Sequence, residues 1–163
     1  MVLGAIMAFP LKFVPQESWH QSPRNFGAAR DKGKRKHAGC DLYAPVGTSV
    51  FAVADGTVTA FGLFYLGTYA LVVDHGEFVV RYGEIQKTIP DKVKVGAKVT
   101  KGQLIGKVGK LTGLNISMVH FEMFTGKAKG ALTDKNRPPF MRRSDLIDPA
   151  SHLDAWAQEP LPT

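Results

Sequence analysis

Before residue 140 no stretch keeps apolar residues on one helical face for three turns, and that absence constrains the fold of this chain most strongly. Between residues 48 and 124 short runs follow one another instead: "TSVFAV", "GTVTAFG", "TYALVVD" and "EFVVRYG". They are rich in β-branched and aromatic residues and are separated by breaks containing Gly or Asp. Two further short strands are expected in "VKVGAKVTKGQLIGKVG", residues 93–109, around a Lys-Gly turn. Seventeen glycines and ten prolines, spread along the chain, fit many strands joined by tight turns. In "SDLIDPASHLDAWAQ" a short helix is expected after Pro149. The expectation is one all-β domain, mainly antiparallel, with irregular ends.

At 163 residues the chain is long enough for one well-cored domain. Its one cysteine, Cys40, excludes an intramolecular disulfide framework and is read as a small buried apolar residue. The first nine residues, "MVLGAIMAF", lack a charged leading region, and Pro10 and Lys12 follow at once. They read as too short for a signal peptide and far too short for a membrane span. A soluble chain without an export address of its own is expected, so its delivery route stays open. The net charge of +7 suits an anionic partner such as a membrane surface or an acidic wall polymer. Its densest run, "RDKGKRK" from Arg30 to Lys36, reads as a solvated basic loop or as a targeting surface. No nucleic-acid reader motif and no interleaved aromatic residues accompany it, so nucleic acid is not expected as a partner.

Two polar clusters interrupt this pattern. "KHAGCDL", 36–42, sets His37 and Asp41 four apart, and "NISMVHFEMF", 115–124, carries His120 and Glu122. Read as strands, the first puts His37, Gly39 and Asp41 on one face and Cys40 on the other. The second puts Met118, His120 and Glu122 on one face. Adjacent strands of this kind gather two imidazoles and a carboxylate and leave a fourth position open, as in a catalytic zinc site. The alternative is a hydrogen-bonded core histidine, and spacing alone does not choose between them.

The order of longer motifs adds to this. "FGAAR" (26–30) is followed by "HAGCD", "APVGTSVFAVADGTV" (44–58), "VKVGAKVTKGQLIGKVG" and "MVHFE". In that order, from residue 26 to about 153, the chain resembles the lysostaphin-type (LytM-like) zinc endopeptidases that cut peptidoglycan peptides. The resemblance implies a compact hybrid-barrel or sandwich core with a groove, an irregular N-terminal segment and a short C-terminal helix. It divides the chain into an N-terminal extension (1–25), a metallopeptidase-like domain (26–153) and a tail (154–163). It implies His37, Asp41 and His120 as zinc ligands, a peptidoglycan peptide as substrate, and action in the periplasm or on the cell wall. A monomer is expected.

Two positions depart from the family pattern. The family's Y-x-H histidine is replaced by Glu84 in "RYGEI", and the first histidine of H-x-H by Met118. Glu84 thus becomes the candidate catalytic base, against the plainer reading of a solvent-exposed strand glutamate. Met118 cannot donate a hydrogen bond. Glu122 is expected to orient an imidazole rather than bind metal. His75 reads as a turn residue that is also a candidate to reach the groove, and His20 as part of a candidate covering segment. The rival reading is a zinc-bearing peptidoglycan-binding or regulatory domain of weak or no activity, which the loss of both histidines favours. A lipoyl-like or phosphocarrier module shares "ADGTV", but it requires a modified lysine signature or a histidine pair and has no need of Asp41.

Overall fold

A computed structural model describes residues 7–163. Residues 1–6, which hold most of the apolar start weighed as a signal peptide, lie outside the described residues. The strands are β1 (Ala29–Arg30), β2 (Arg35–Lys36), β3 (Cys40–Tyr43), β4 (Ser49–Phe51), β5 (Gly56–Leu63) and β6 (Tyr69–Asp74). They continue with β7 (Val79–Ile85), β8 (Lys98–Val99), β9 (Leu104–Lys107), β10 (Met118–Phe124) and β11 (Leu146–Ile147), and the chain closes with helix α1 (Ala150–Trp156). Every pairing is antiparallel. The main sheet runs β11-β10-β7-β6-β5-β8, with β3 also on β10, while β1–β2 and β4–β9 form small separate ribbons.

β10 organises the sheet. On one edge it pairs with β7, and on the other β3 and β11 lie end to end. Its residues alternate as a strand must. Val119 and Phe121 point into the core, where Phe121 meets its cross-strand partner Tyr82 edge-on at 5.6 Å. Burying a side chain of this size stabilises the fold by about 1.5–3 kcal/mol. The Tyr82 hydroxyl is satisfied inside, accepting from the Val53 amide at 3.1 Å and donating to His75 Nε2 at 2.9 Å. Met118 and His120 point the other way, into a groove. Leu153 and Trp156 of α1 pack on the core, and so do Phe9, Leu11 and Trp19 of the N-terminal segment. The ends are tied together where Trp19 Nε1 donates to Asp154 at 3.0 Å, beside a His20–Asp154 contact of 2.7 Å.

One expectation fails locally. Residues 36–42 do not form a single strand: β2 ends at Lys36, the chain bends through Ala38–Gly39, and β3 begins at Cys40. His37 therefore reaches Asp41 across a bend, not by strict alternation. The cause lies at Gly39, which passes so close to β10 that a Cβ would collide with the Phe121 carbonyl oxygen. Gly39→Ala should then cost about 1–3 kcal/mol of overpacking, lowering the melting temperature by roughly 4–10 °C. Gly62→Ala, which meets nothing within 4 Å, should change it by at most about 2 °C. Calorimetry of the two variants checks this, and equal melting temperatures would remove the close-approach argument.

Candidate metal centre

His37 stands in the bend before β3, Asp41 lies on β3, and His120 sits directly across from Asp41 on β10. Their ligand atoms form a nearly equilateral triangle. His37 Nε2 is 3.0 Å from Asp41 Oδ1 and 3.1 Å from His120 Nδ1, and His120 Nδ1 is 3.0 Å from Asp41 Oδ1. Donors placed tetrahedrally around zinc at its usual bond lengths stand about 3.3 Å apart. All three residues are buried, and all three line one groove.

The partners behind the rings assign their tautomers. His37 Nδ1 lies 2.9 Å from the Asn25 carbonyl oxygen, which can only accept, so Nδ1 carries the hydrogen. His120 Nε2 likewise donates to Glu122 Oε1 at 2.8 Å. Each ring turns its other nitrogen to Asp41, donating to the carboxylate when protonated and presenting a lone pair when neutral. Three such groups converging on one point need a positive charge among them, a proton on an imidazole or a metal cation, and two nitrogens with one carboxylate oxygen suit zinc with a fourth position open. The donor set therefore fits the metal. The charges agree. Burial alone would raise the Asp41 carboxyl, but hydrogen bonds from His120 and His37 outweigh it and hold it at about 2. Burial alone would lower His120, but Asp41 and Glu122 raise it to about 10, marking a place that a positive charge fills.

Glu122 is fully buried beneath this centre. Its Oε2 accepts from Arg81 Nε and its Oε1 from Arg142 Nε, both at 2.9 Å. Burial would raise its carboxyl, yet His120 and the two guanidiniums hold it well below the usual carboxylate range. Ligand histidines gain orientation and basicity from such partners. Arg81 also stacks over Phe64 at 5.0 Å, and Phe64 lies 5.5 Å from the His120 ring. Gly83 makes room for this, since a Cβ there would meet a Phe64 ring carbon at 2.7 Å.

Glu84 is not a solvent-exposed strand residue. Strict alternation after Tyr82 would turn it to the core face, but the register of β6 on β7 shifts between Tyr69 and Leu71, and Glu84 takes a left-handed φ of 64°. Such a bulge re-aims a side chain, here into the groove with His37, Asp41 and His120. It is 7% exposed, its Oε2 has no hydrogen-bond partner, and burial raises its carboxyl to about 7. Met118 is buried and lines the same groove.

The other candidates lie elsewhere. His75 bonds Tyr82 and the Asp55 carbonyl and does not line the groove, and His20 is held by Asp154. Cys40 is fully buried, with its thiol pushed up to about 12 by burial. Sequence reading missed Arg81 and Arg142. Arg81 had a faint signal, since alternation puts it on the face of Gly83, opposite Glu122. Arg142 had none.

Comparison with known proteins agrees with this geometry. The chain belongs to peptidase family M23, whose model matches residues 35–132. It is 36% identical over 92 residues to the peptidoglycan DD-endopeptidase ShyA of Vibrio cholerae, covering 53% of this chain and 20% of that protein. It therefore spans about a fifth of the length of this curated relative. A zinc-containing peptidase from Vibrio cholerae superposes with a TM-score of 0.53 at 25% identity, covering 72% of this chain and 37% of the other. Lysostaphin from Staphylococcus simulans, at 19% identity and a TM-score of 0.62 over 93% of this chain and 56% of its own, shares the fold. Among the described residues no helix is long and apolar enough to cross a membrane.

Two outcomes follow from the charges. Glu122→Gln leaves Arg81 and Arg142 without their counter-charge and should cost about 3–5 kcal/mol. Zinc affinity should fall about 10–100-fold, as competition against a chromophoric chelator would measure. The second concerns Glu84. Its folded-state value of about 7 lies above the usual 4.5, so the folded chain binds more protons between those values. Stability is then lost as pH rises through that window. In chelated protein at pH 8, Glu84→Gln should be more stable than wild type by about 1–3 kcal/mol, with no gain at pH 4.5. Parallel thermal melts at the two pH values test this, and an equal offset at both would contradict it.

Proposed function

We propose that the chain is a zinc-dependent endopeptidase that hydrolyses peptide bonds in bacterial peptidoglycan, with Glu84 as general base. One observation carries the reading: a buried carboxyl with a free oxygen opens onto the same groove as three converging metal-ligand atoms. His37, Asp41 and His120 would hold the ion. A bound zinc supplies a Lewis acid for the scissile carbonyl and lowers the pKa of a water to about 7. Glu84 takes a proton at Oε2 and returns it to the leaving amine. Its raised proton affinity suits both transfers, and its burial shields the proton from bulk water. Glu122 and the Asn25 carbonyl keep the imidazole lone pairs on the metal side. Residues 26–153 serve as the peptidase domain, acting as a monomer in the periplasm or on the cell wall. Membership of peptidase family M23 and the DD-endopeptidase relatives support the substrate class.

Met118 favours a second reading. A thioether offers no hydrogen to a developing oxyanion, and loss of one such donor costs about 100- to 1000-fold in rate. A slow enzyme, or a zinc-bearing peptidoglycan binder, is the alternative. Incubation of zinc-loaded protein with purified sacculi, followed by mass spectrometry of released muropeptides, separates the two. Cleaved stem peptides are expected from wild type and none from metal-depleted His120→Ala. At equal zinc occupancy, Glu84→Gln should turn over about 100- to 10,000-fold more slowly. Equal rates would retire Glu84 as the base, and sedimentation with sacculi without cleavage would establish the binder.

A further inference from the structure

The groove has two unlike walls. The β1–β2 ribbon leads directly into β3, on one side of β10, and brings Arg30, Arg35 and Lys36 to the groove. On the β7 side, the end of β5, the turn after it and the loop before β10 bring Leu63, Tyr65 and Leu114, and the loop ends with Ile116 beside Ser117, which is bonded to Ala44 after β3. That loop is fixed to the turn where the Thr112 amide donates to the Leu66 carbonyl at 3.0 Å. These four apolar side chains are 37–76% exposed, and neighbouring exposed apolar residues beside a cleft mark a surface that is covered in use. The metal cluster and Glu84 lie between the two walls.

The basic wall exceeds local need. Arg30 is anchored to the Pro23 carbonyl at 2.8 Å, with Nη2 3.8 Å from Asp41 Oδ2. Arg35 pairs with exposed Asp31 and keeps 44% of its side chain exposed, and Lys36 is exposed. Two further arginines, Arg81 and Arg142, line the groove and share one carboxylate, Glu122. Among the described residues, Glu84 and Asp41 are the acidic ones that line the groove. A peptide crossing from wall to wall therefore meets cations on one flank and apolar surface on the other.

We infer that the β1–β2 ribbon is a specificity element that selects peptides carrying a free carboxylate, through Arg35 and Lys36, over the same peptides with that carboxylate amidated. The substrate's uncharged side chains lie against Leu63 and Tyr65. The inference rests on the peptidase reading for the direction of the peptide across the groove. A guanidinium fork and an ammonium both gain charge-assisted hydrogen bonds from a carboxylate, and a primary amide returns neither the charge nor a second acceptor oxygen.

The test uses two forms of one cross-linked stem-peptide dimer, with free carboxylates or as primary amides. Zinc-loaded wild type and an Arg35→Gln/Lys36→Gln variant of matched zinc content and melting temperature are compared. Wild type should prefer the acid form by about 5- to 10-fold in kcat/KM, given the partial exposure of these cations, and in the variant the ratio should fall to about 1. Equal kcat/KM for both peptides in wild type, or a preference that survives in the variant, overturns the inference. Calorimetric binding of the same peptides keeps it separate from the peptidase reading. Without hydrolysis, that reading fails, while tighter binding of the acid form by wild type alone still supports the subsite. Polyphosphate binding more tightly than the acid peptide, and losing affinity in the same variant, would overturn the assignment in favour of a phosphate-bearing polymer.

Discussion

The antiparallel register of β3 on β10 sets Asp41 opposite His120 and Cys40 opposite Phe121. Because side chains alternate, the same register sends Cys40 and Phe121 into the core and Asp41 and His120 into the groove. A slip of one residue would exchange these faces, burying a carboxylate among Leu42, Tyr82 and Trp156 and exposing the core aromatics. The core thus enforces the position of the metal cluster at no separate cost. Gly39 is the local condition for it, since only a residue without a Cβ lets the chain pass the Phe121 carbonyl before β3 begins.

The floor of the groove is charged, and its charges fix how the imidazoles are presented to it. Glu122 and Asp41 are anionic, and Arg81 and Arg142 are cationic. These four balance, and the two imidazoles turn their remaining nitrogens to Asp41, where a proton or a cation can join the three groups. Buried ion networks of this sort seldom add much stability over apolar packing. Their use here is geometric: each oxygen of Glu122 is taken, so the carboxylate has one way to sit, and His120 has one tautomer. The arginines come from β7 and from the segment before β11, which ties distant parts of the chain to one ligand.

Much of the fold could be read from local pattern. The strand runs at 49–51, 56–63, 69–74 and 79–85, the helix after Pro149 and the sharing of one face by Met118, His120 and Glu122 all follow from residue type and period. What escaped depends on contacts far apart in sequence. The break between β2 and β3 is set by Phe121, some eighty residues away, and no local signal in "KHAGCDL" announces it. Arg142 lies in an irregular segment whose sequence gives no period. Trp19 likewise is held by Asp154 of α1, at the other end of the chain, and the segment carrying Phe9 and Leu11 by Phe51 and Val53.

Glu84 is where the sheet departs from its own rule, and the departure has a chemical logic. A non-glycine residue at positive φ is strained, and a carboxyl without a partner for Oε2 is destabilising when charged. Both accompany the turn of its side chain into the groove that His37, Asp41 and His120 line. An imidazole in that place would begin neutral and end cationic after taking a proton, next to a dication. A carboxylate begins anionic and ends neutral. A bound dication would favour the anionic carboxylate, while burial favours the neutral acid. Burial already holds the carboxyl at about 7, in the range that suits a general base. On the proposed reading, a glutamate at this position keeps a proton acceptor in the groove, and the cost falls on Met118, whose thioether has no hydrogen to offer a developing negative charge.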